Sequence, residues 1–245
     1  MTKPIKLIAL DMDGTLLNPM LEVSKRNTEA IQEALNQGIQ VVLSTGRAID
    51  TCYPYAQDLN LQTFLITANG GEVWTMEKEL LQRKLLSADI VEDLYQITKE
   101  SGVRRWMIST DKVFQEDEIV NIQDYEWLKF GCASENPEKL REVQERLMSF
   151  EELELTNSLP TNIEINPKGV SKANALGFLC ERTGISMDQI MAVGDSLNDM
   201  KMIQEVGVGI AMDNAQEAIK EAANAVTSSN IDDGVGKAIE KFALK

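Results

Sequence analysis

Two aspartates two residues apart, Asp11 and Asp13, directly follow an apolar run, Ile5 to Leu10, that predicts a buried β-strand. In an open parallel sheet, ligands bind beyond the carboxyl ends of the strands, so both carboxylates can point at one site. Gly14 comes next and lets the chain turn away sharply because it has no Cβ. Paired carboxylates of this kind are suited to nucleophilic and acid–base chemistry.

The chain has no histidine, which limits the residues that can act as catalytic bases or metal ligands. Ser-His-Asp catalysis and His-ligated zinc sites are excluded, so any catalysis must use carboxylates, lysine, hydroxyl groups and a hard metal ion. A calcium loop of the Asp-x-Asp-Gly type is disfavoured. Leu16 occupies the sixth position, where that loop needs glycine, and a strand rather than a helix precedes it.

Two further polar clusters stand at predicted helix starts. Ser44-Thr45-Gly46-Arg47 follows the apolar run Ile39 to Leu43, and hydroxyl and N–H groups at a helix N-terminus form an anion site. Lys172 lies in the first turn of a predicted helix, where the helix dipole disfavours a cation. Taken alone, the first cluster is also ordinary turn chemistry and the second an ordinary surface lysine. Because its replacement removes the conflict with the helix dipole, we expect the loss of Lys172 to change stability little or to raise it slightly.

A fourth cluster, Gly194 to Asp199, follows the predicted strand Gln189 to Val193. Alone it is also a common N-cap with acidic residues in the first helical turn. In the Rossmann-like strand order 3-2-1-4-5, however, strands one, two and four are adjacent, so the clusters meet in one crevice. At least three carboxylates then repel one another unless a hard cation such as Mg²⁺ neutralises them. Lys172 and Asn198 can balance a bound phosphate.

The elements that position these clusters are short apolar strands alternating with amphipathic helices, which imply a parallel sheet covered on both faces. Between residues 80 and 168 this alternation gives way to strand pairs with helices on one side. The predicted fold class is therefore α/β, a Rossmann-like parallel sheet core with an inserted α+β cap domain. We place the core at residues 1–79 and 169–245 and the cap at residues 80–168.

Composition limits the partners. Lys plus Arg number 24 against 39 Asp plus Glu, a formal charge of −15, so nucleic acid is not expected as a partner. A small phosphorylated substrate would meet the same repulsion and needs local Lys, Arg or metal charge. We expect a cytoplasmic protein with no membrane association. The three cysteines are far apart in sequence, as in a reduced protein, the N-terminus does not resemble a signal peptide, and no apolar run is long enough to span a membrane. The oligomeric state stays open.

The four clusters in this order resemble the haloacid dehalogenase superfamily. Three further features resemble the Cof-type phosphatases of this superfamily. They are the large insertion between the Ser44–Arg47 cluster and Lys172, the sequence Asn69-Gly70-Gly71, and the ending Asp233-Gly234-Val235. The resemblance covers nearly the whole chain, and it rests on Asp11-Met12-Asp13-Gly14-Thr15, Ser44-Thr45-Gly46-Arg47, Lys172 and Gly194-Asp195-Ser196-Leu197-Asn198-Asp199.

The resemblance implies a role for each residue. Asp11 resembles the nucleophile that takes the phosphoryl group and contributes one oxygen to Mg²⁺. Asp13 resembles the general acid and base, with its main-chain carbonyl on the metal, and Asp195 resembles the third metal ligand. Asp199 resembles a carboxylate that does not bind the metal itself but holds Lys172 or a metal-bound water. The implied phosphate contacts are the N–H of Met12, Thr45, Gly46, Lys172 and Asn198.

The resemblance implies an Mg²⁺-dependent phosphomonoester hydrolase that acts on small phosphorylated metabolites, such as sugar phosphates, through an aspartyl-phosphate. One alternative is a sugar phosphomutase resembling phosphomannomutase, which dependence on a bisphosphorylated activator would reveal. Another is a non-catalytic phosphate-binding regulatory protein. The complete set of Asp11, Asp13, Lys172 and Asp195 argues against the latter, because a binding module has no need of a nucleophile.

Overall fold

The computed structural model describes residues 3–116, 118 and 121–244. The chain divides into two compact units, one formed by Met1–Gln82 with Ser171–Lys245 and the other by Arg83–Val170. These boundaries fall two or three residues later than those drawn from the sequence. The first boundary moves because an edge strand at Leu80–Arg83 extends the sheet of the first unit.

The secondary structure alternates between strands and helices at both ends of the chain. The strands are β1 (Leu7–Leu10), β2 (Gln40–Ser44), β3 (Phe64–Thr67), β4 (Glu72–Thr75), β5 (Leu80–Arg83), β6 (Arg104–Ser109), β7 (Val113–Gln115), β8 (Trp127–Ala133), β9 (Leu153–Thr156), β10 (Asn162–Pro167), β11 (Ile190–Gly194), β12 (Val208–Ala211) and β13 (Ala225–Val226). The helices are α1 (Lys25–Asn36), α2 (Ile49–Asp58), α3 (Ala88–Glu100), α4 (Pro137–Leu147), α5 (Lys172–Thr183), α6 (Met200–Glu205), α7 (Glu217–Ala222) and α8 (Gly234–Phe242). Single 3₁₀ turns occur at Ile122–Asp124, Met187–Gln189 and Leu197–Asp199, and a turn with positive φ angles occurs at Ala68–Gly70.

The first unit is built on an eight-stranded sheet in the order β13-β12-β11-β1-β2-β3-β4-β5. The strands from β13 to β3 pair in parallel, and β4 pairs antiparallel with β3. When only the strands that pair in parallel are counted, β3, β2, β1, β11 and β12 follow the order 3-2-1-4-5, so the predicted Rossmann-like core is confirmed. The carboxyl ends of β1, β2 and β11 therefore lie side by side.

Local sequence signals begin and end the helices of this unit. Ser24 caps α1, and its hydroxyl accepts a hydrogen bond from the N–H of Asn27. Ser171 caps α5 in the same way, accepting from the N–H of Asn174. Helix α5 ends at Gly184, whose φ of 71° is the left-handed conformation that favours glycine. Because Ser171 is the N-cap, Lys172 is the first residue of α5.

The second unit contains a five-stranded antiparallel sheet in the order β7-β6-β8-β10-β9. Helices α3 and α4 pack against it, as the predicted α+β insertion requires. Its buried core is separate from that of the first unit and includes Val91, Leu94, Phe114, Trp127, Phe130, Val143 and Ile165. Within the described residues, no helix has the length and apolar character needed to cross a membrane.

Candidate active site

The loop after β1 turns tightly against the loop after β11. Asp11 is 4% exposed, and its N–H donates to the carbonyl of Val193 at 3.1 Å. Gly14 has φ +81°, and a Cβ at this position would lie 2.5 Å from Oδ2 of Asp195. The hydroxyl of Thr15 donates to Oδ1 of Asp195 at 2.8 Å. Glycine is therefore needed here both for the backbone conformation and for the close approach of the Asp195 carboxylate.

Lys172 is fully buried between two carboxylates. Its Nζ lies 2.5 Å from Oδ1 of Asp11 and 2.6 Å from Oδ1 of Asp199. Burial alone would lower the pKa of Lys172, but the two negative charges outweigh it and raise the pKa, so the lysine stays charged. The surface-lysine interpretation is wrong, because the two carboxylates compensate both the burial and the unfavourable helix dipole.

Asp199 connects the lysine to the loop after β11. Its Oδ1 accepts from Lys172, and its Oδ2 accepts from the N–H groups of Asp195 at 2.9 Å and Ser196 at 3.2 Å. Both oxygens of Asp199 are therefore engaged within the protein. This geometry makes Asp199 a positioning group that fixes the Lys172 ammonium and the Asp195 loop together.

Three buried carboxylates crowd one another at this site. Asp11, Asp195 and Asp199 each have one carboxylate oxygen in a group of three oxygens that all lie within 4.8 Å of one another. Burial, and then the charge of Asp199, raises the pKa of Asp11 well above its ordinary value and that of Asp195 to about 6. A set of donors made only of oxygen, with excess negative charge, fits a hard divalent cation such as Mg²⁺.

The carboxylate of Asp13 is not a member of this group of three and forms a two-pronged ion pair with Arg47. The Nε–Oδ2 distance is 2.8 Å, and the Nη2–Oδ1 distance is 2.6 Å. Hydrogen bonding to Asp13, and then the charge of Asp13, raise the pKa of Arg47 above its already high value. Sequence reasoning included Arg47 in the second motif but gave it no role. Its position was the available signal. Arg47 directly follows Gly46 in the loop after β2, and β2 lies beside β1, the strand that precedes Asp13.

The predicted phosphate contacts lie in the turns beyond the same strand ends. Met12 is buried in the loop after β1, and Thr45 and Gly46 follow β2 ahead of α2. The Thr45 hydroxyl accepts from the N–H of Arg47 at 3.2 Å. Asn198, in the 3₁₀ turn before α6, has its Nδ2 3.4 Å from Oδ1 of Asn69. Asn69 was noted in the sequence only as part of a resemblance, without a role.

Comparison with known proteins identifies the family to which the chain belongs. A family profile described as haloacid dehalogenase-like hydrolase matches residues 8–128 and 113–239. The chain is 48% identical over 240 residues to the 5-amino-6-(5-phospho-D-ribitylamino)uracil phosphatase YcsE of Bacillus subtilis, covering 98% of this chain and 96% of that protein. The chain therefore belongs to the haloacid dehalogenase-like hydrolases, and its enzyme class is that of the family's phosphatases.

Solved structures support the same assignment. A haloacid dehalogenase-like hydrolase from B. subtilis superposes with a TM-score of 0.88 at 27% identity, covering 97% of this chain and 99% of the other. The sugar phosphatase BT4131, of subclass IIB, gives a TM-score of 0.85 at 23% identity, covering 97% and 98%, and shows the shared fold alone. The recognition of a Cof-type phosphatase fold from the sequence is confirmed.

Proposed function

We propose that this phosphatase hydrolyses small phosphate monoesters with the help of Mg²⁺, through a phosphorylated Asp11. The observation that carries the proposal is the position of Lys172, whose Nζ is 2.5 Å from Asp11 and 2.6 Å from Asp199. A cation held this close fixes the rotamer of Asp11 and supplies positive charge where a transferred phosphoryl group would sit. A structural ion pair would not need the further carboxylate of Asp195 beside it.

The metal would be held by the Asp11 and Asp195 carboxylates and the main-chain carbonyl of Asp13, and it would supply charge neutralisation for the phosphoryl oxygens. In the first step, a carboxylate oxygen of Asp11 attacks phosphorus, and the bond from phosphorus to the leaving oxygen breaks. The carboxyl group of Asp13 protonates that oxygen. In the second step, Asp13 takes a proton from water, whose oxygen attacks the phosphorus of the aspartyl-phosphate and releases phosphate.

The substrate class follows from similarity. YcsE is named for a substrate in which a phosphorylated ribityl chain is attached to a uracil ring. Identity of 48% along the whole chain supports a substrate of the same class for this protein, a phosphate ester on a polyol or sugar chain. Such a substrate also agrees with the family resemblance to phosphatases of small metabolites.

The test is a release assay for inorganic phosphate with 5-amino-6-(5-phospho-D-ribitylamino)uracil and a panel of hexose and pentose phosphates. We expect turnover with Mg²⁺, loss of turnover in EDTA, and recovery when Mg²⁺ is restored. Asp11→Asn serves as the inactive control. Full activity after exhaustive chelation would contradict the metal requirement, and dependence on a bisphosphorylated activator would instead favour the mutase alternative.

A further inference from the structure

The turn after β3 has an unusual backbone. Three consecutive residues have positive φ, with Ala68 at 49°, Asn69 at 60° and Gly70 at 95°. Glycine adopts such angles readily and asparagine does so occasionally, but alanine does so at a cost in free energy. All three residues are buried. A strained, buried turn persists only when its surroundings hold it in place.

The backbone of this turn is hydrogen-bonded to the second motif. The N–H of Ala68 donates to the carbonyl of Arg47 at 2.9 Å, and the N–H of Asn69 donates to the carbonyl of Thr45 at 2.9 Å. Both bonds require the N–H groups of adjacent residues to point the same way, which the left-handed conformation allows. The turn therefore fixes the backbone of the segment that carries Thr45 and Arg47.

The same turn contacts the third and fourth motifs. Oδ1 of Asn69 faces Nδ2 of Asn198 at 3.4 Å. A Cβ on Gly70 would lie 2.3 Å from the carbonyl oxygen of Ser171, so the turn packs directly on the backbone preceding Lys172. Asn69 is 2% exposed, so its amide acts on neighbouring protein groups rather than on solvent.

We propose that Asn69 is a positioning residue for phosphate binding, which orients Asn198 through its side chain and Thr45 through its backbone. The proposal rests on the proposed function, because Thr45 and Asn198 matter only if a phosphate binds there. Asn69 has no need to touch the substrate itself. By holding the Asn198 amide by one N–H, it directs the other N–H of that amide toward the crevice.

The test uses Asn69→Gly, which keeps the left-handed backbone accessible and removes only the amide side chain. The matched control is Asn60→Gly, an exposed asparagine with φ 50° that ends the turn after α2. Asn198→Ala and the double variant Asn69→Gly with Asn198→Ala complete a cycle. For each, the dissociation constant of inorganic phosphate is measured by calorimetry with Mg²⁺ present, together with kcat, KM and Tm.

We expect Asn69→Gly to weaken phosphate binding and to raise KM by about tenfold, the size of one ordinary hydrogen bond, while kcat changes less. The Tm should match that of Asn60→Gly, and the double variant should bind phosphate no more weakly than Asn198→Ala. Unchanged phosphate binding in Asn69→Gly, or losses that multiply in the double variant, would overturn the proposal. If the glycine variant is insoluble, Asn69→Ser replaces it, since the serine hydroxyl is too short to reach Asn198.

The two levels of inference fail separately. If the wild-type protein hydrolyses no phosphomonoester, the proposed function is wrong, and the phosphate-binding comparison alone decides the role of Asn69. If the wild-type protein is active and Asn69→Gly behaves like Asn60→Gly, the proposed function stands and the positioning role is wrong.

Discussion

Replacing Lys172 by methionine is the sharpest test of the site, because it removes the charge and nearly keeps the shape. The side chain is fully buried, and its Nζ contacts the carboxylates of Asp11 and Asp199. The variant would leave both carboxylates buried without their cation. Removing a cation from the N-terminus of α5 would also relieve the conflict with the helix dipole, a gain of about 0.3–1 kcal/mol.

The loss is larger than that gain. Breaking one side of a buried ion pair costs about 3–5 kcal/mol, because the remaining charge stays uncompensated. With the gain subtracted, the net loss is about 2–4.7 kcal/mol, so at about 2–4 °C of Tm for each kcal/mol in a chain of this size the metal-free variant should melt about 4–19 °C lower at pH 7.5. The small stability change expected from the sequence therefore becomes a clear destabilisation. Activity should also fall, by about 10²–10³-fold in kcat/KM.

The assay is a thermal melt in EDTA at pH 5 and at pH 7.5, with Lys25→Met as the control. Lys25 is 89% exposed, and its ion pair with Glu29 is at the surface, so the control should melt like the wild type. The deficit of Lys172→Met should be smaller at pH 5, because protonation relieves the unpaired carboxylates. Adding Asp199→Asn should restore part of the lost stability. A Tm for Lys172→Met within 2 °C of the control, a threshold of about 1 kcal/mol or less, would refute the reasoning.

Four further predictions concern the carboxylates and the turn beside them. Asp11→Asn should keep the fold but lower kcat by more than about a thousandfold, equivalent to about 4 kcal/mol of barrier, and a folded variant with a tenth of wild-type kcat would exclude Asp11 as nucleophile. Mg²⁺ at a hundredfold excess over Kd should stabilise the protein by about 2.7 kcal/mol. Because the pKa of Asp195 is raised to about 6, the metal-free protein should lose stability as pH rises from about 4 through 6, and the Tm difference between Mg²⁺ and EDTA should grow over the same range. Gly14→Ala should weaken Mg²⁺ binding and should destabilise the protein more than Gly38→Ala does. Both glycines have positive φ, but a Cβ on Gly14 would meet the carboxylate of Asp195, whereas a Cβ on Gly38 would meet open space. Equal Tm losses and equal Mg²⁺ affinities would show that backbone strain alone matters.

The core of the fold was predictable because its signals are local and agree with one another. Fully buried strands such as β1 and β11 have uninterrupted apolar sequences, as parallel strands covered on both faces do. Ser24 and Gly184 mark helix ends by their own chemistry. Strand adjacency then follows from the topology, which is why Asp11 and Asp195 could be placed together before any coordinates.

The rest depended on contacts between residues distant in sequence. Nothing in the residues around Lys172 reveals that two carboxylates will surround it, because Asp11 is 161 positions away along the chain. The pairing of Asp13 with Arg47 depends equally on the adjacency of two loops. Strands β4 and β5 were missed because each has only four residues and neither has the continuous apolar pattern of the central sheet, and β5 is in addition a largely accessible edge strand.

The balance of charge at the site explains how so acidic a chain could bind phosphate. Three buried carboxylates face the single ammonium of Lys172, while Asp13 and Arg47 neutralise each other. A phosphate monoester would add a charge of about −2 to a site that is already negative. A divalent cation cancels the existing excess, and N–H groups in the turns beyond β1 and β2 can then face the phosphate oxygens. Under the proposed function, the metal would be needed for the phosphate to bind as well as for the transfer step. In the metal-free protein, burial and then repulsion by Asp199 raise the pKa of Asp195, which is the charge excess that a divalent cation would relieve.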